Sequence, residues 1–404
     1  MKNFQKGIIS KVRKITLITF LFLFLSPLVN SEVMENPFFT EYETNFKIPP
    51  FSQINEDHFM PAFIKGMELH NEEINDIIEN KEEPSFENII VAMERSGSLL
   101  SRVSAVFFNL SGSTTNPKIQ EIEKEISPKL SSHYDSISLN PEIFKKVKIL
   151  WENIDNFDLS LEERKILEET YKRFVRSGAL LEGSDKKRYA ELNQDITKLS
   201  VQFSQNLLAE TNDFEIILDQ ADLAGLPDDI VDLAKLEAEN KFSKNKDDKY
   251  KDKYVFTVQR SSMYPFLTYS TRRDLREKLY KGYIQRGDNN NEYDNKDITS
   301  KIASLRVEKA NILGFESHAH YVLDNTMAKT PEAVYGLLNQ LWAPALKRAK
   351  NELNEMQILA NEEGNNFEIA SWDWWHYAEK VRKDKYDLDA DSYTHLTLPT
   401  KREV

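Results

Sequence analysis

The chain of 404 residues contains no cysteine. That absence excludes a disulfide framework, a thiol nucleophile, an iron–sulfur cluster, a Cys-ligated zinc site and a lipidated cysteine anchor. Any metal must therefore be held by histidine and carboxylate groups. Glycine and proline are scarce, at 12 and 14 residues, which favours long helices over a turn-rich architecture. Positive charge falls short of negative, 53 Lys and Arg against 66 Asp and Glu, for a formal charge of −13. Such a surface repels phosphate backbones and anionic lipid, which argues against nucleic acid as a partner. Hydrophobic residues at 40% and charged residues at 29% give the balance of a folded soluble protein, long enough for one large core or two domains.

Local catalytic signatures are also missing. None of the seven histidines, His58, His70, His133, His318, His320, His376 and His395, stands in an HExxH pattern, the spacing that puts two zinc ligands and a general base on one helical face. The inverse pattern nearly forms at His376-Tyr377-Ala378-Glu379-Lys380, but a lysine ammonium cannot ligate zinc. His318 and His320 flank Ala319; on a helix their rings point about 200° apart, so only an extended segment lets them converge. Asp387, Asp389 and Asp391 imitate the first ligands of an EF-hand, yet Ser392 replaces the required glycine and Leu398 the bidentate glutamate, so the likeness is read as chance. Without G-x-S-x-G, P-loop or GxGxxG, the serine-hydrolase, P-loop and dinucleotide readings lack support.

What is present begins with a leader. Lys2, Lys6, Lys11, Arg13 and Lys14 precede an uncharged apolar run from Ile15 to Val29, the layout of a secretory signal peptide, with cleavage expected before Glu32. Fifteen residues fall short of the roughly 20 that span a bilayer, so no stable membrane anchor is expected. Losing the leader takes the charge of the mature chain to about −18.

Helix signals then dominate. Asn55 stands ahead of Phe59, Phe63, Met67 and Ile74, and Ser85 reads as an N-cap for a broad apolar face running from Phe86 to Leu110. Ser160 with Glu163 predicts a capping box, Ser184 opens a longer helix to Asp213, and Pro227–Asn240 reads as another. Two β-prone runs, Phe214–Leu218 and Tyr254–Val258, are expected to pair as a ribbon, with the charged stretch Lys241–Lys253 between them a solvated loop. From Thr271 helices return, one stopping at Gly314 and another running from Thr330-Pro331 to Gly364. No internal repeat is evident, which leaves one mostly helical unit. Trp372, Trp374, Trp375, Tyr377 and Tyr386 crowd together; a core helix packed by large rings is the first reading, a peptide groove the second.

Five collinear stretches carry a resemblance. They are NPFF at Asn36–Phe39, ERSGSLLSRVSAVFFNL at Glu94–Leu110, LRVEKANILGFESHAHYVL at Leu305–Leu323, MAKTPEAVYGLLNQLW at Met327–Trp342 and WDWWHYAEKVRKDKYDLD at Trp372–Asp389. Over this span the chain resembles the N-terminal part of a secreted bacterial peptidyl-dipeptidase, in the dipeptidyl carboxypeptidase branch of the thimet-oligopeptidase-like zinc metallopeptidases. The resemblance implies a mostly α fold, a multi-helical lobe of a two-lobed enzyme with one small β-ribbon. It also implies release of dipeptides from the free C-termini of short peptides by a zinc-activated water, with the motif glutamate as base. In that family HExxH and a third, glutamate ligand lie downstream of the WDWW segment, and this sequence ends before them. No catalytic or metal-ligand role can be carried to any position here, and the substrate-binding residues are unassigned.

The expected organisation is a signal peptide over 1–31, a helical part of a zinc metallopeptidase over 32–391, and a tail over 392–404, SYTHLTLPTKREV, which resembles translated non-native sequence. The expected activity is that of a truncated periplasmic or secreted peptidyl-dipeptidase, zinc-dependent when complete and inactive as given, missing its C-terminal catalytic lobe. An endo-acting oligopeptidase of the same family is one alternative; an exported, non-catalytic helical module that binds peptides or a protein is the other. Half of a two-lobed enzyme exposes apolar inter-lobe surface, so the isolated chain is expected to be aggregation-prone or marginally stable.

Overall fold

The computed structural model describes residues 36–386. The leader, the tail and the Asp387, Asp389 and Asp391 triplet lie outside the described residues. Helices dominate, with one small antiparallel sheet, so the mostly α reading holds. Within the stretch read as one helical unit, the chain forms two compact units: residues 36–76 with 95–119, and residues 77–94 with 120–386.

The first unit is built around phenylalanine. The Asn36 side chain accepts from the Phe38 amide and donates to the His58 carbonyl at 2.8 Å, fixing the opening turn. Asn55 caps the turn Glu56–His58, and its own amide donates to His58 Nδ1 at 3.1 Å, a reciprocal box that leads into α1 (Phe59–Glu79). Phe59 and Phe63 of α1 meet Phe107 of α2 (Ser98–Ser113) edge-on, with centroids 5.1 and 5.3 Å apart. A Cβ on Gly66 would sit 3.0 Å from the Leu100 backbone, so glycine is what lets α1 and α2 approach this closely.

The apolar face from Phe86 to Leu110 is not one helix. Ser85 does cap it, in a box with Asn88, but the chain forms a π-helical turn Phe86–Val91, a short turn Ala92–Arg95, and then breaks at Gly97 with φ +69°. Glycine takes that left-handed conformation without steric cost, and α2 starts afresh beyond it.

The second unit contains α3 (Pro117–Ser138) beyond its first turn, α4 (Pro141–Glu152), α5 (Leu161–Arg176) and α6 (Gly183–Asp213). Stacked rings join α4 to α5, Phe144 on Tyr171 and Phe174 at 5.9 Å and Trp151 on Tyr171 at 5.2 Å. Ser160 and Glu163 form the expected capping box at the start of α5. The chain then alternates β1 (Glu215–Leu218), α7 (Asp228–Asn245) and β2 (Tyr254–Thr257), and ends in α8 (Arg260–Tyr269), α9 (Arg273–Ile284), α10 (Lys296–Ile312), α11 (His318–Leu323), α12 (Pro331–Glu362) and α13 (Trp374–Tyr386). Gly314 and Gly364 stop α10 and α12 with φ +83° and +82°.

The two strands pair as expected, with Ile216 opposite Phe256 and Ile217 opposite Val255. The period of two then sorts them: Ile216, Leu218 and Phe256 join Phe266, Leu267 and Leu279, while Val255 and Ile217 join Ala238 and Tyr250. Both faces of the ribbon are thus covered. The charged stretch between the strands is not a solvated loop throughout, because α7 runs five residues past Asn240 and Tyr250 is buried. Its lysines serve the fold: Lys241 and Lys249 pair with Glu215 at 2.7 and 3.3 Å, and the Tyr250 hydroxyl donates to the same carboxylate. Burial works to raise the Glu215 pKa, but these donors outweigh it and the group stays below the usual range.

Candidate functional site

The residues singled out for chemistry come to rest in structural roles. His376, buried on α13, donates from Nδ1 to the Thr268 carbonyl at 2.9 Å. Burial, with the cations of Arg276 and Lys380 nearby, pushes its pKa down to about 4, so the ring is neutral. Glu379 is held by Arg382 and Lys380 by Glu363, the latter at 2.7 and 2.8 Å. The near-HxxEH pattern is therefore three separately satisfied side chains. His318 and His320 lie on helical α11 and do not converge; His320 Nδ1 meets the Ser317 hydroxyl at 2.9 Å. Among the described residues no cluster of three His, Asp or Glu side chains is arranged to hold a metal. The described residues do not fit a catalytic zinc, which needs three protein ligands around an open position.

Most of the aromatic crowd packs against a core, with Tyr377 buried and Trp374 and Trp375 half-buried. Trp375 lies between Tyr264 and Tyr280, at 5.7 and 6.1 Å, and Tyr377 meets Phe367 at 6.3 Å. Tyr386 stands exposed at the end of α13. At the centre sits a group that sequence reasoning did not single out: Asp373, wholly buried, accepts from Arg273 Nε and Nη2 at 3.0 and 2.9 Å and from Arg276 Nη2 at 2.7 Å. Arg273 also covers the Phe367 ring at 4.1 Å. Nothing in the local pattern beyond an acid between two tryptophans marks this network, since its arginines lie some hundred residues upstream.

A second polar cluster was equally hidden. Asp135 of α3 accepts from Asn193 of α6 at 2.8 Å, while its other oxygen has no hydrogen-bond partner. Burial pushes its pKa up to about 6, against the pull of Asn193 and of Lys309. The Lys309 ammonium lies over the Tyr189 and Tyr321 rings at 5.1 and 5.8 Å, and burial lowers its pKa in turn. The concavities nearby are shallow and mixed in polarity; a cleft of about 570 Å³ beside α5 brings Arg173 and Arg176 next to Tyr321. None of these arrangements sets a nucleophile beside a base and an oxyanion donor, the geometry a hydrolytic centre requires.

Surface rather than cavity is the remaining feature. The first half of α12 is exposed on all sides, including Tyr335, Leu337, Leu338, Leu341, Trp342 and Leu346. Only its final turns are buried, Met356 and Ala360 against Tyr377 of α13. The sequence predicts a helix from Thr330-Pro331 to Gly364 and could not show that nothing in the described residues covers most of its first half.

Comparison with known proteins supplies what the side chains alone do not. Residues 266–401 match the model of Peptidase family M3; the matched stretch reaches into the segment 392–404 that the sequence set apart. The chain is 34% identical to the dipeptidyl carboxypeptidase of Escherichia coli over 355 residues, 88% of this chain and 51% of that protein. It is 31% identical to the Salmonella typhimurium dipeptidyl carboxypeptidase over the same share of each chain. It is 28% identical to the oligopeptidase A of Salmonella typhimurium over 92% of this chain and 53% of that one. The chain spans about half the length of these relatives. Over nearly all of its length the chain is thus collinear with these peptidases, and its residues 266–401 match the Peptidase family M3 model.

Proposed function

We propose that the whole protein is an exported zinc peptidyl-dipeptidase, releasing dipeptides from the free C-termini of short peptides, and that this chain supplies a helical part of it without the catalytic centre. The observation that carries the reading is the 34% identity to a dipeptidyl carboxypeptidase over 88% of the chain, in a chain whose described residues hold no metal cluster. Zinc and its activated water belong in this reading to the half of the relatives' length that the chain does not span. Export to the periplasm or beyond rests on the leader at 1–31.

The test is to read the source DNA through and beyond the codon for Asp391, express the continuous frame, and assay it on peptides with free C-termini. The expected products are dipeptides, lost on chelation and restored by zinc. A frame that stops at codon 404 and yields a protein that binds peptides without cutting them overturns the reading. The similarity to oligopeptidase A favours one further reading, an endo-acting enzyme of the same family, and internal cleavage products with no dipeptide series identify it.

A further inference from the structure

On α7, Ile230, Leu233, Ala234, Glu237 and Lys241 recur at helical spacing and form one stripe. Between this stripe and Val255 and Phe256 of β2 lies a hollow of about 390 Å³, on the scale of a small-molecule site. Its floor is apolar: Ala234, Val255 and Phe256 are buried, and Leu233 stands 60% exposed at the mouth. The stripe carries two charges, and one of them is neutralised. Lys241 is held by Glu215 at 2.7 Å, whereas Glu237, half-buried, has no hydrogen-bond or ion-pair partner among the described residues. At the rim, Gln259 and Ser261, around the start of α8, add neutral hydrogen-bonding groups.

We propose that this hollow binds the free amino terminus of a short peptide whose first side chain is apolar. The inference rests on the peptidase reading above and deepens it with a peptide site that belongs to this chain. Glu237 sets the charge of the ligand. An α-amino group, with an ordinary pKa of about 8, is protonated at pH 7, and it meets an unpaired carboxylate in a charge-assisted hydrogen bond. The floor sets what stands beside that charge: a branched aliphatic side chain one carbon from the ammonium can lie on Val255 and Phe256 and cover Leu233, which removes apolar surface from water. The neutral groups of Gln259 and Ser261 suit the peptide bond that follows. Anionic ligands fit less well, because the lysine of the hollow already has its carboxylate and the chain carries a net charge of −13. Each peptide cut creates a new amino terminus, so products as well as substrates carry the group this site recognises.

The test is calorimetric titration of the full 404-residue chain with the dipeptide Leu-Leu. The expected result is saturable binding, weakened about tenfold by Glu237→Gln and about tenfold by N-acetylation of the dipeptide, with no further loss when the two changes are combined. N-acetylation alters only the ligand, so it reads the ammonium contact even where Glu237→Gln disturbs the fold. Glu239→Gln, which removes an exposed carboxylate of the same helix, and amidation of the dipeptide's C-terminus are expected to change affinity by less than about twofold. No saturable binding up to about 10 mM overturns the proposal. So does a loss with Glu239→Gln equal to that with Glu237→Gln, or binding of N-acetyl-Leu-Leu as tight as that of Leu-Leu. Hexylamine binding as tightly as Leu-Leu also overturns it, by identifying an aliphatic-amine site that does not recognise a peptide. Dipeptide release by the continuous reading frame is assayed in parallel: release without Glu237-dependent binding sinks only this site, while the expected binding pattern in a protein that releases no dipeptide sinks only the peptidase reading.

Discussion

Arg276 and Asp373 form a buried ion pair, with Arg276 Nη2 2.7 Å from Asp373 Oδ1 and both side chains 2% exposed or less. The pair ties α9 to the turn that starts α13, and Arg273 closes the other carboxylate oxygen at 2.9 Å. Removing the acid strands a buried guanidinium, which costs about 3–5 kcal/mol. Asp373→Ala is expected to lower the urea midpoint of unfolding sharply. In a double-mutant cycle, Arg276→Met in that background should recover part of the loss; purely additive effects would show that the pair is not coupled.

Two buried groups should pull the pH dependence of stability in opposite directions. His376 has a folded pKa of about 4 against an ordinary 6.5, so the unfolded chain takes up its proton first. Its contribution is complete above pH 6.5 and is lost as pH falls toward 4. Asp135 is raised from 3.8 to about 6, so the folded chain holds its proton longer, and that contribution is present below pH 3.8 and lost as pH rises through 6. Asp135→Asn should therefore make stability climb more steeply from pH 4 to 6.5, and His376→Gln should flatten or reverse the climb. Urea titrations at half-unit pH steps check both, and identical slopes in the two variants would refute the assignment.

Gly282 is a case where a helix-favouring change should harm. Alanine in a helix interior ordinarily gains about 1 kcal/mol over glycine, but a Cβ here would lie 2.2 Å from the Phe214 ring. The ring in turn packs against the core beneath β1. Gly282→Ala is expected to destabilise by about 1–3 kcal/mol, and Phe214→Leu in the same chain to restore part of it. A more stable Gly282→Ala variant would contradict this packing.

The capping box of α5 gives a milder effect. Ser160 Oγ accepts from the Glu163 amide at 3.2 Å, and the Ser160 amide donates to Glu163 Oε2 at 2.8 Å. Ser160→Ala should cost about 1 kcal/mol, read as a shift in thermal midpoint, and no shift would mean that the helix start is held by packing alone.

The parts of this fold that were legible in sequence are the local ones. Ser85, Asn55, Ser160 and Thr330 marked helix starts because a cap needs only its own first turn, and Gly314 and Gly364 marked stops through their positive φ. The ribbon was visible as two runs of β-branched and aromatic residues. What failed was reading through a break. Gly97 sits inside an apolar period that continues on both sides, so the periodicity hid the turn. The end of α7 was misplaced because Lys241 looked solvated until Glu215, 26 residues away, turned out to neutralise it. At the candidate site, sequence reasoning read the tryptophans first as a helix packed by large rings. It had no means of finding Asp373 with its arginines, or Asp135 with Lys309, since those pairs exist only once distant helices meet.

The most direct test of the account is the metal content of the purified 404-residue chain after dialysis against excess zinc, paired with an assay for dipeptide release. The account predicts no stoichiometric zinc and no release, because the proposed reading assigns the zinc centre to the part of the relatives' length that this chain does not span. One zinc per chain with chelator-sensitive dipeptide release would contradict it and place the catalytic centre within this chain.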